Sequence, residues 1–296
     1  MRPPAQLVSP GWVAEHLRHP GVVIVDVRWS PTGSTVVSRR EFEDGHIPGA
    51  AFLDVDADLA GRPFRDGPGR HPLPHPDEFA ETMAKIGIDD EMHVVAYDDV
   101  RGSVAARLWW MLWITGHQAA LLDGGLQAWR AEGGGIEYGP AKKREKALFT
   151  PEHWPGDRVV RADAVVATLR AGAAPVLDAR VPERYRGEAE KMDPVAGHIP
   201  GAVSASWTDN LDERGRFLPP EELRERYAGL GVTGDAAVAY CGSGVTACMD
   251  LFALRLAGFG DARLYEGSWS DWVSDPDRPV ATGSSVGTPP AAPETP

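Results

Sequence analysis

Short apolar runs alternate along this chain with longer stretches whose apolar residues recur at helical spacing. Runs of this kind between turn signals are typical of buried strands, and helical stretches between such strands predict parallel pairing. The pattern therefore predicts an α/β fold in which helices cover both faces of a parallel sheet. The predicted strands lie in the apolar runs at residues 22–27, 94–97, 121–122, 176–177, 237–240 and 264–265.

Four sequence motifs recur in the same order, which indicates that the chain contains two copies of one domain. The first two motifs, Asp-x-Arg and Gly-His-Ile-Pro-Gly-Ala, recur 152 residues later, and the other two recur 143 residues later. The single change of offset places nine extra residues in the first copy, between its second and third motifs. The paired positions are 26–28 with 178–180, 45–50 with 197–202, 94–98 with 237–241, and 123–129 with 266–272.

Composition separates the two copies from the segments around them. Residues 133–157 are rich in Gly and Pro, carry a Lys-Lys-Arg-Glu-Lys run and show no periodicity, so they are predicted to be a linker. Residues 282–296 are mostly Pro, Ala, Gly, Ser and Thr without an apolar pattern, which predicts a disordered tail. The two predicted domains are therefore residues 1–132 and 158–281.

Cys241 stands between a predicted strand and a predicted helix and is followed by Gly-Ser-Gly-Val-Thr-Ala. The unpaired N–H groups and the dipole of a helix N-terminus favour an anion, and the thiolate is the nucleophilic form of cysteine. Cys241 is thus a candidate for covalent catalysis, and the alternative is a buried core cysteine. Cys248 lies inside the helical pattern and is predicted to contribute only to core packing.

Charge and composition narrow the class of protein. The length of 296 residues exceeds the usual size of one hydrophobic core, and the formal net charge of −13 argues against a nucleic-acid partner. Two cysteines provide no disulfide framework, which favours a reducing cytoplasm. The first ten residues lack a signal-peptide pattern, and the longest strongly apolar run, 108–115, is too short to span a bilayer. We therefore predict a cytoplasmic protein without a membrane partner.

The paired Asp-x-Arg and Gly-His-Ile-Pro-Gly motifs, together with the loop after Cys241, resemble the tandem-domain rhodanese family of sulfurtransferases over residues 8–280. The loop is more similar to that of the 3-mercaptopyruvate type than to that of the thiosulfate type. The resemblance implies two tandem rhodanese-like domains, each a five-stranded parallel sheet flanked by helices, with no cofactor. It also implies that only the second domain is catalytic, and Asp98 indeed replaces the cysteine in the first copy. Because the two copies form a self-contained pair, we expect a monomer.

The resemblance further implies a persulfide mechanism. The Cys241 thiolate would take the outer sulfur of a small-molecule donor, and a thiol, a thioredoxin-like protein or cyanide would then accept it. Backbone N–H groups of the loop would stabilise both the thiolate and the persulfide anion. The residues of this loop are Gly242, Ser243, Gly244, Val245 and Thr246.

Donor binding is assigned by the same resemblance. Arg184, in the segment Glu-Arg-Tyr-Arg-Gly, matches an arginine that contacts the donor, and its guanidinium suits a carboxylate. Lys191 is the nearest basic residue to the position of a second arginine, and Ser243 would hydrogen-bond to the donor. Asp56 and His71, from the longer segment of the first copy, match positions that line the site. Arg28 and Arg180 recur in both copies, so they are predicted to be structural.

Other functions remain open at this point. A thiosulfate-preferring sulfurtransferase and a non-catalytic rhodanese module that serves binding or regulation are both compatible with the family. A cysteine phosphatase would need an arginine six residues after the cysteine, where this chain has Ala247. No metal site is expected, because neither cysteine has a His or Cys partner at ligand spacing.

Overall fold

Each sequence repeat folds into the parallel strands and helices that its apolar pattern predicts. The computed structural model describes residues 6–30, 34–234, 236–260 and 262–290. These residues divide into two units, and each unit contains a short segment of the other repeat. The first unit takes its residues from 1–61, 73–155 and 212–217, and the second from 62–72, 156–211 and 218–296.

The first unit contains a parallel sheet of five strands within the described residues. Its strands are β1 (Leu7–Val8), β2 (Val22–Asp26), β3 (Ala51–Phe52), β4 (His93–Tyr97) and β5 (Ala119–Leu122). The strand order is β1-β5-β4-β2-β3, so β4 lies in the centre. All residues of β2 and β4 are buried, which is why each strand carries an unbroken apolar run, at residues 22–25 and 94–97, rather than an alternating pattern.

Helices flank this sheet and bury their apolar faces against it. The most buried helix follows β4 directly and contributes Trp109 and Trp110, both fully buried, to the interior. The helices of the first unit are α1 (Pro10–His16), α2 (Thr35–Glu43), α3 (Val55–Asp58), α4 (Pro76–Lys85), α5 (Ala105–Ile114) and α6 (Gly125–Ala131).

The second unit repeats this sheet in the same strand order, β6-β10-β9-β7-β8, over the described residues. Its strands are β6 (Val159–Val160), β7 (Val176–Asp178), β8 (Val203–Ser204), β9 (Val238–Tyr240) and β10 (Arg263–Tyr265). All the pairings are parallel, and β9 occupies the central position that β4 holds in the first unit. The two five-stranded parallel sheets confirm the predicted fold class.

Helices and one 3₁₀ turn cover the second sheet. The helix after the central strand is again deeply buried. Trp269 and Trp272 belong to a core cluster that contains strand residues such as Val238 and Tyr240. These elements are α7 (Ala162–Ala171), α8 (Pro182–Tyr185), the 3₁₀ helix Trp207–Asn210, α9 (Pro220–Gly229), α10 (Ala247–Leu256) and α11 (Ser268–Trp272).

The Asp-x-Arg motif forms a buried ion pair in both units. In the second unit, Arg180 Nη2 donates to Asp178 Oδ2 at 2.6 Å and to the carbonyl oxygen of Gly197 at 2.7 Å. Arg28 makes the same contacts in the first unit, with Nη2 at 2.9 Å from Asp26 Oδ2. The arginine thus ties the strand to the Gly-His-Ile-Pro-Gly segment, and loss of either partner would leave a buried charge uncompensated. These contacts agree with the structural role expected for both arginines.

Most of the segment predicted to be a linker, residues 133–157, belongs to a folded unit. Residues 133–155 are part of the first unit. Trp154 Nε1 donates to the carbonyl oxygen of Pro74 at 2.8 Å, and Trp129 Nε1 donates to that of Gly135 at 2.8 Å. The segment packs here without periodicity because it takes part in hydrogen bonds of both directions: its Trp154 donates an indole N–H, and its Gly135 accepts one.

The predicted tail, residues 282–296, also differs over its described part. The N–H of Gly283 donates to the carbonyl oxygen of Arg186 at 2.9 Å, and Arg170 Nε donates to that of Pro290 at 3.0 Å. Residues 282–290 are therefore held on the second unit by hydrogen bonds to their backbone, which a compositional argument does not detect. Residues 291–296 lie outside the described residues.

No helix in the described ranges is long and apolar enough to cross a membrane.

Candidate active site

Cys241 follows the last residue of β9, at the carboxyl end of the central strand of the second sheet. Ligands of open parallel sheets bind outside these strand ends. The cysteine is only 2% exposed, and the neighbouring helix α11 fixes its backbone on both sides. Its N–H donates to Ser268 Oγ at 3.1 Å, and its carbonyl oxygen accepts from the N–H of Trp269 at 3.0 Å. The thiol is therefore held on a rigid part of the fold.

The loop after Cys241 presents several backbone N–H groups that bond to no other group in the part of the chain that the structure describes. Within the described ranges, the N–H groups of Gly242, Ser243, Val245 and Thr246 have no acceptor. Gly244 adopts a φ of +78°, and a Cβ at this position would overlap the carbonyl oxygen of Glu266, so only glycine fits. The loop leads into the N-terminus of α10, and such a run of free N–H groups is suited to hold an anion.

The equivalent loop of the first unit already holds an anion, the carboxylate of Asp98. This carboxylate lies at the end of β4 and is fully buried. It accepts hydrogen bonds at 2.7–2.9 Å from the N–H groups of Val100, Gly102, Val104 and Ala105. Burial raises the pKa of Asp98, and the four N–H donors oppose this rise. In this chain, a loop between the central strand and the next helix can therefore stabilise a negative charge.

Segment 62–72 brings His71 into the second unit. His71 Nδ1 lies 2.7 Å from Ser243 Oγ, and both side chains are buried. The segment is also bound to α11, because the N–H of Arg70 donates to Ser270 Oγ at 3.1 Å. Ser270 in turn donates its N–H to the carbonyl oxygen of Gly242 at 2.9 Å. Hydrogen bonds thus connect residues 70–71, α11 and the loop after Cys241.

Arg184, the predicted donor-binding arginine, lies beside the loop after Cys241. A Cβ placed on Gly242 would lie 3.3 Å from Arg184 Nη1, so the guanidinium covers the residue directly after the cysteine. Arg184 Nη2 also bonds to Glu190 Oε2 at 2.9 Å and to Asp193 Oδ2 at 3.2 Å. Both carboxylates are almost completely buried, which holds the arginine in one orientation.

The two carboxylates differ in their pKa. Burial raises the pKa of Asp193, and the charges of Arg70 and Arg184 oppose this rise. Burial also acts to raise the pKa of Glu190, but hydrogen bonds from the N–H of Met192 and from Arg184 bring it below its usual value. Glu190 is therefore the firmer anionic partner of Arg184.

Arg70 is a neighbour of the loop that the sequence analysis missed. Its Nη2 lies 3.2 Å from a Cβ placed on Gly242, and its Nη1 forms an ion pair with Asp193. Arg70 precedes His71 in the Arg-His-Pro-Leu-Pro stretch, and this adjacency is the one signal that could have pointed to it. The sequence also did not reveal three further neighbours of the loop, because each contacts residues that are far away along the chain. These neighbours are Asp193, Ser268 and Ser270.

The other residues that the sequence analysis singled out have surroundings different from those of Arg184 and His71. Lys191 is exposed, and its side chain forms no ion pair in the described part of the chain. Asp56 belongs to the first unit, where its Oδ2 accepts from Trp29 Nε1 at 2.9 Å. Thr246 precedes α10 without a side-chain capping bond. Cys248 is buried in α10, and its Sγ lies 3.4 Å from the carbonyl oxygen of Gly244.

The described residues contain no group of three or more His, Cys, Asp or Glu side chains arranged to hold a metal ion.

Comparison with known proteins gives consistent matches along most of the chain. A family model described as "Rhodanese-like domain" matches residues 9–132 and again residues 161–275. A Pseudomonas aeruginosa protein named "Probable 3-mercaptopyruvate sulfurtransferase" is 47% identical over 293 residues, which covers 94% of this chain and 99% of the relative. A Mycobacterium tuberculosis protein named as a thiosulfate sulfurtransferase, SseB, is 39% identical over 271 residues, covering 89% of this chain and 92% of the relative.

A solved structure extends the match to three dimensions. The crystal structure of SseA from Escherichia coli, whose description assigns it the "Rhodanese" fold of 3-mercaptopyruvate sulfotransferases, matches with a TM-score of 0.77 at 33% identity. The match covers 90% of this chain and 100% of SseA.

Proposed function

Because the chain belongs to the rhodanese family and is a sulfurtransferase, we propose that it takes sulfur from 3-mercaptopyruvate and carries it as a persulfide on Cys241. The observation that carries this proposal is the position of Cys241 at the mouth of a loop with unused N–H groups, beside Arg184. The P. aeruginosa relative is named for this donor, and it aligns over 94% of the chain.

In the first half-reaction, the Cys241 thiolate attacks the sulfur of mercaptopyruvate. An S–S bond forms while the bond between sulfur and C3 breaks, and its electron pair passes to the carbon as the enolate of pyruvate. The proton of the transferred S–H then moves to that carbon, which leaves pyruvate and a persulfide anion. The N–H groups of Gly242, Ser243, Val245 and Thr246 stabilise the thiolate before the step and the persulfide after it.

The Asp98 loop supports this role for backbone N–H groups. Its carboxylate accepts four hydrogen bonds from the same kind of loop, at the same place in the same topology. In the second unit, Cys241 replaces the carboxylate at the corresponding position. The N–H groups of its loop can therefore bind a negative charge that forms during the reaction. Ser243, held by His71 at 2.7 Å, then donates to the developing enolate oxygen of the donor.

In the second half-reaction, a thiolate acceptor attacks the outer sulfur of the persulfide. The S–S bond breaks, its electron pair returns to Cys241, and the acceptor leaves as a persulfide. We propose a small thiol or a thioredoxin-like protein as this acceptor, with cyanide as a surrogate, and a cytoplasmic monomer as the acting form. A thiolate fits the reaction because it regenerates the starting thiolate of Cys241.

The test is intact-mass analysis of the protein after exposure to mercaptopyruvate without an acceptor. The wild-type chain should gain the mass of one sulfur, and Cys241→Ser should gain none and lose all turnover. Cys248→Ser is the matched control and should keep most of the activity, because Cys248 lies in the core of α10. A sulfur adduct on Cys241→Ser protein would refute the assignment, and absence of turnover with any donor would favour a non-catalytic binding module.

Thiosulfate is the second candidate donor. It is favoured by the M. tuberculosis relative and by the presence of two guanidinium groups beside Gly242. Transfer from thiosulfate would proceed through the same persulfide, with sulfite as the leaving group. The relative kcat/KM values of the protein for the two donors separate these candidates.

A further inference from the structure

We propose that Arg70 is a specificity-determining residue that binds the donor carboxylate together with Arg184, in the role that the sequence assigns to Lys191. The inference deepens the proposed function, on which it rests for the identity of the donor. It concerns the second cation of the donor site, which comes from segment 62–72 of the first repeat.

Two guanidinium groups lie against the same backbone position. A Cβ on Gly242 would be 3.2 Å from Arg70 Nη2 and 3.3 Å from Arg184 Nη1. Only two carbon atoms separate the sulfur of mercaptopyruvate from its carboxylate carbon. A donor whose sulfur reaches Cys241 must therefore place its carboxylate within about one residue length of the cysteine, where these guanidinium groups lie.

Asp193 holds the two arginines as a pair. One of its carboxylate oxygens bonds to Arg184 Nη2 at 3.2 Å, and the other pairs with Arg70 Nη1. The Asp193 side chain is 2% exposed, whereas each arginine side chain keeps 23% of its surface accessible. The pair is therefore anchored from its buried side and open on the other, as a binding site for a second carboxylate requires.

One N–H group of the Arg70 side chain remains available for a hydrogen bond. This group, on Nε, is buried and has no acceptor among the residues that the structure describes. A buried N–H group without an acceptor is unfavourable, and an entering carboxylate would remove that penalty. The backbone of Arg70 is fixed at the same time by its bond to Ser270 Oγ at 3.1 Å.

Lys191 does not share these features. The backbone N–H of Lys191 donates to Glu190 Oε1 at 3.0 Å, and Lys191 is exposed to solvent. An exposed ammonium on a flexible chain provides a weakly held point charge, whereas a fixed guanidinium can bind a carboxylate through two hydrogen bonds. Lys191 is therefore the natural control for Arg70.

The experiment compares alkylation of Cys241 by iodoacetate, which bears a carboxylate, with alkylation by neutral iodoacetamide. Both reagents form a C–S bond with the thiolate and release iodide, so the ratio of their rates isolates the effect of the carboxylate. The rates are followed by peptide mass spectrometry, which separates Cys241 from Cys248. KM for mercaptopyruvate and the inhibition constant of pyruvate are measured on the same proteins.

Arg70→Gln should lower the iodoacetate-to-iodoacetamide ratio and raise KM and the pyruvate inhibition constant, each by at least ~5-fold, with a smaller change in kcat. Arg184→Gln should behave similarly. Lys191→Gln should change each value by less than about 2-fold, as expected for an exposed charge. Arg70→Lys keeps the charge beside Asp193 and should give intermediate values, which tests the role of the planar guanidinium in a folded protein.

An unchanged ratio and unchanged KM in both Arg70 variants would overturn the inference, and so would a larger effect of Lys191→Gln. The alkylation ratio does not depend on turnover. If wild-type protein fails to use mercaptopyruvate but Arg70→Gln still lowers the ratio, the proposed donor is wrong and the carboxylate site at Arg70 stands.

Discussion

Cys241 and Asp98 show how a single side chain decides the chemistry of a repeated loop. Both residues follow a central parallel strand, and both give their carbonyl oxygen to the N–H of an equivalent residue, Trp269 or Leu126. Asp98 satisfies four loop N–H groups with its own carboxylate. In the proposed mechanism, Cys241 instead leaves the N–H groups of its loop to an anion of the reaction. The loop of the first unit is thus filled by its own side chain.

Asp250 is a buried carboxyl of helix α10 that the proposed mechanism does not use. Its Oδ1 accepts from Asn210 Nδ2 at 2.7 Å, and its Oδ2 has no partner in the described part of the chain. Burial raises the pKa of Asp250 from 3.8 to about 7. Between these values the folded chain keeps a proton that the unfolded chain has lost, so this carboxyl makes the protein less stable as the pH rises.

We expect Asp250→Asn to remove this dependence, because an amide remains neutral and its N–H₂ group can take the place of Oδ2. The wild-type protein should lose stability relative to the variant between about pH 5 and about pH 8, by an amount on the order of a few kcal/mol. Denaturant unfolding at the two pH values measures the difference. Parallel pH profiles of the two proteins would contradict the prediction.

At the level of elements, the N-terminus of α11 holds the residues around Cys241 in place through two serines. Ser268, with a φ of +53°, accepts the N–H of Cys241, and Ser270 bonds to both Gly242 and Arg70. A non-glycine residue in the left-handed region is unfavourable by itself, so the surrounding contacts must maintain it. This short helix therefore connects the strand end, the loop and segment 62–72.

The loop between β4 and α5 gives a prediction about stability. Asp98→Ala removes the acceptor of four buried N–H groups and should lower the free energy of unfolding by about 2–4 kcal/mol. Asp98→Asn keeps one acceptor oxygen but turns an NH₂ donor toward two backbone N–H donors, so it should also be less stable than the wild-type protein. Urea denaturation measures both variants, and turnover per folded molecule should stay near the wild-type value. A large loss of turnover at unchanged stability would instead place Asp98 in the reaction.

At the level of the whole molecule, the donor site draws charges from segments far apart in the chain. Arg70 and Arg184 supply two positive charges, and Glu190 and Asp193 supply two negative charges beside them. The group as a whole is neutral, within a chain of formal net charge −13. Under the proposed function, fixed hydrogen bonds rather than excess positive charge hold the donor.

The absence of excess positive charge in this group of side chains predicts which of the two sulfur donors the protein prefers. Thiosulfate is a dianion whose charge lies close to the reacting sulfur, whereas mercaptopyruvate carries one carboxylate farther away. We expect kcat/KM for mercaptopyruvate to exceed that for thiosulfate by at least ~10-fold, or about 1.4 kcal/mol of transition-state stabilisation. Steady-state assays of both donors with one acceptor measure the ratio. Equal values, or a preference for thiosulfate, would refute the assignment of mercaptopyruvate as donor.

The sequence by itself determined the two repeats, the parallel sheets and the place of Cys241 at a strand end. These features follow from local periodicity and from motifs whose residues lie close together in the chain. Arg184 and Ser243 could be identified in the same way, since each lies inside a recognisable motif. The predicted second cation, Lys191, also came from position along the chain, and the structure leaves it exposed.

Only the tertiary structure brought Arg70, His71 and Ser270 to the loop after Cys241. His71 and Ser243 are 172 residues apart, yet their side chains are 2.7 Å apart. Segment 62–72 joins the second unit although it belongs to the first repeat, and its Pro- and Gly-rich composition is also typical of an exposed connector. Such contacts depend on long-range packing of side chains against a folded surface, which no local pattern of hydrophobic and polar residues encodes.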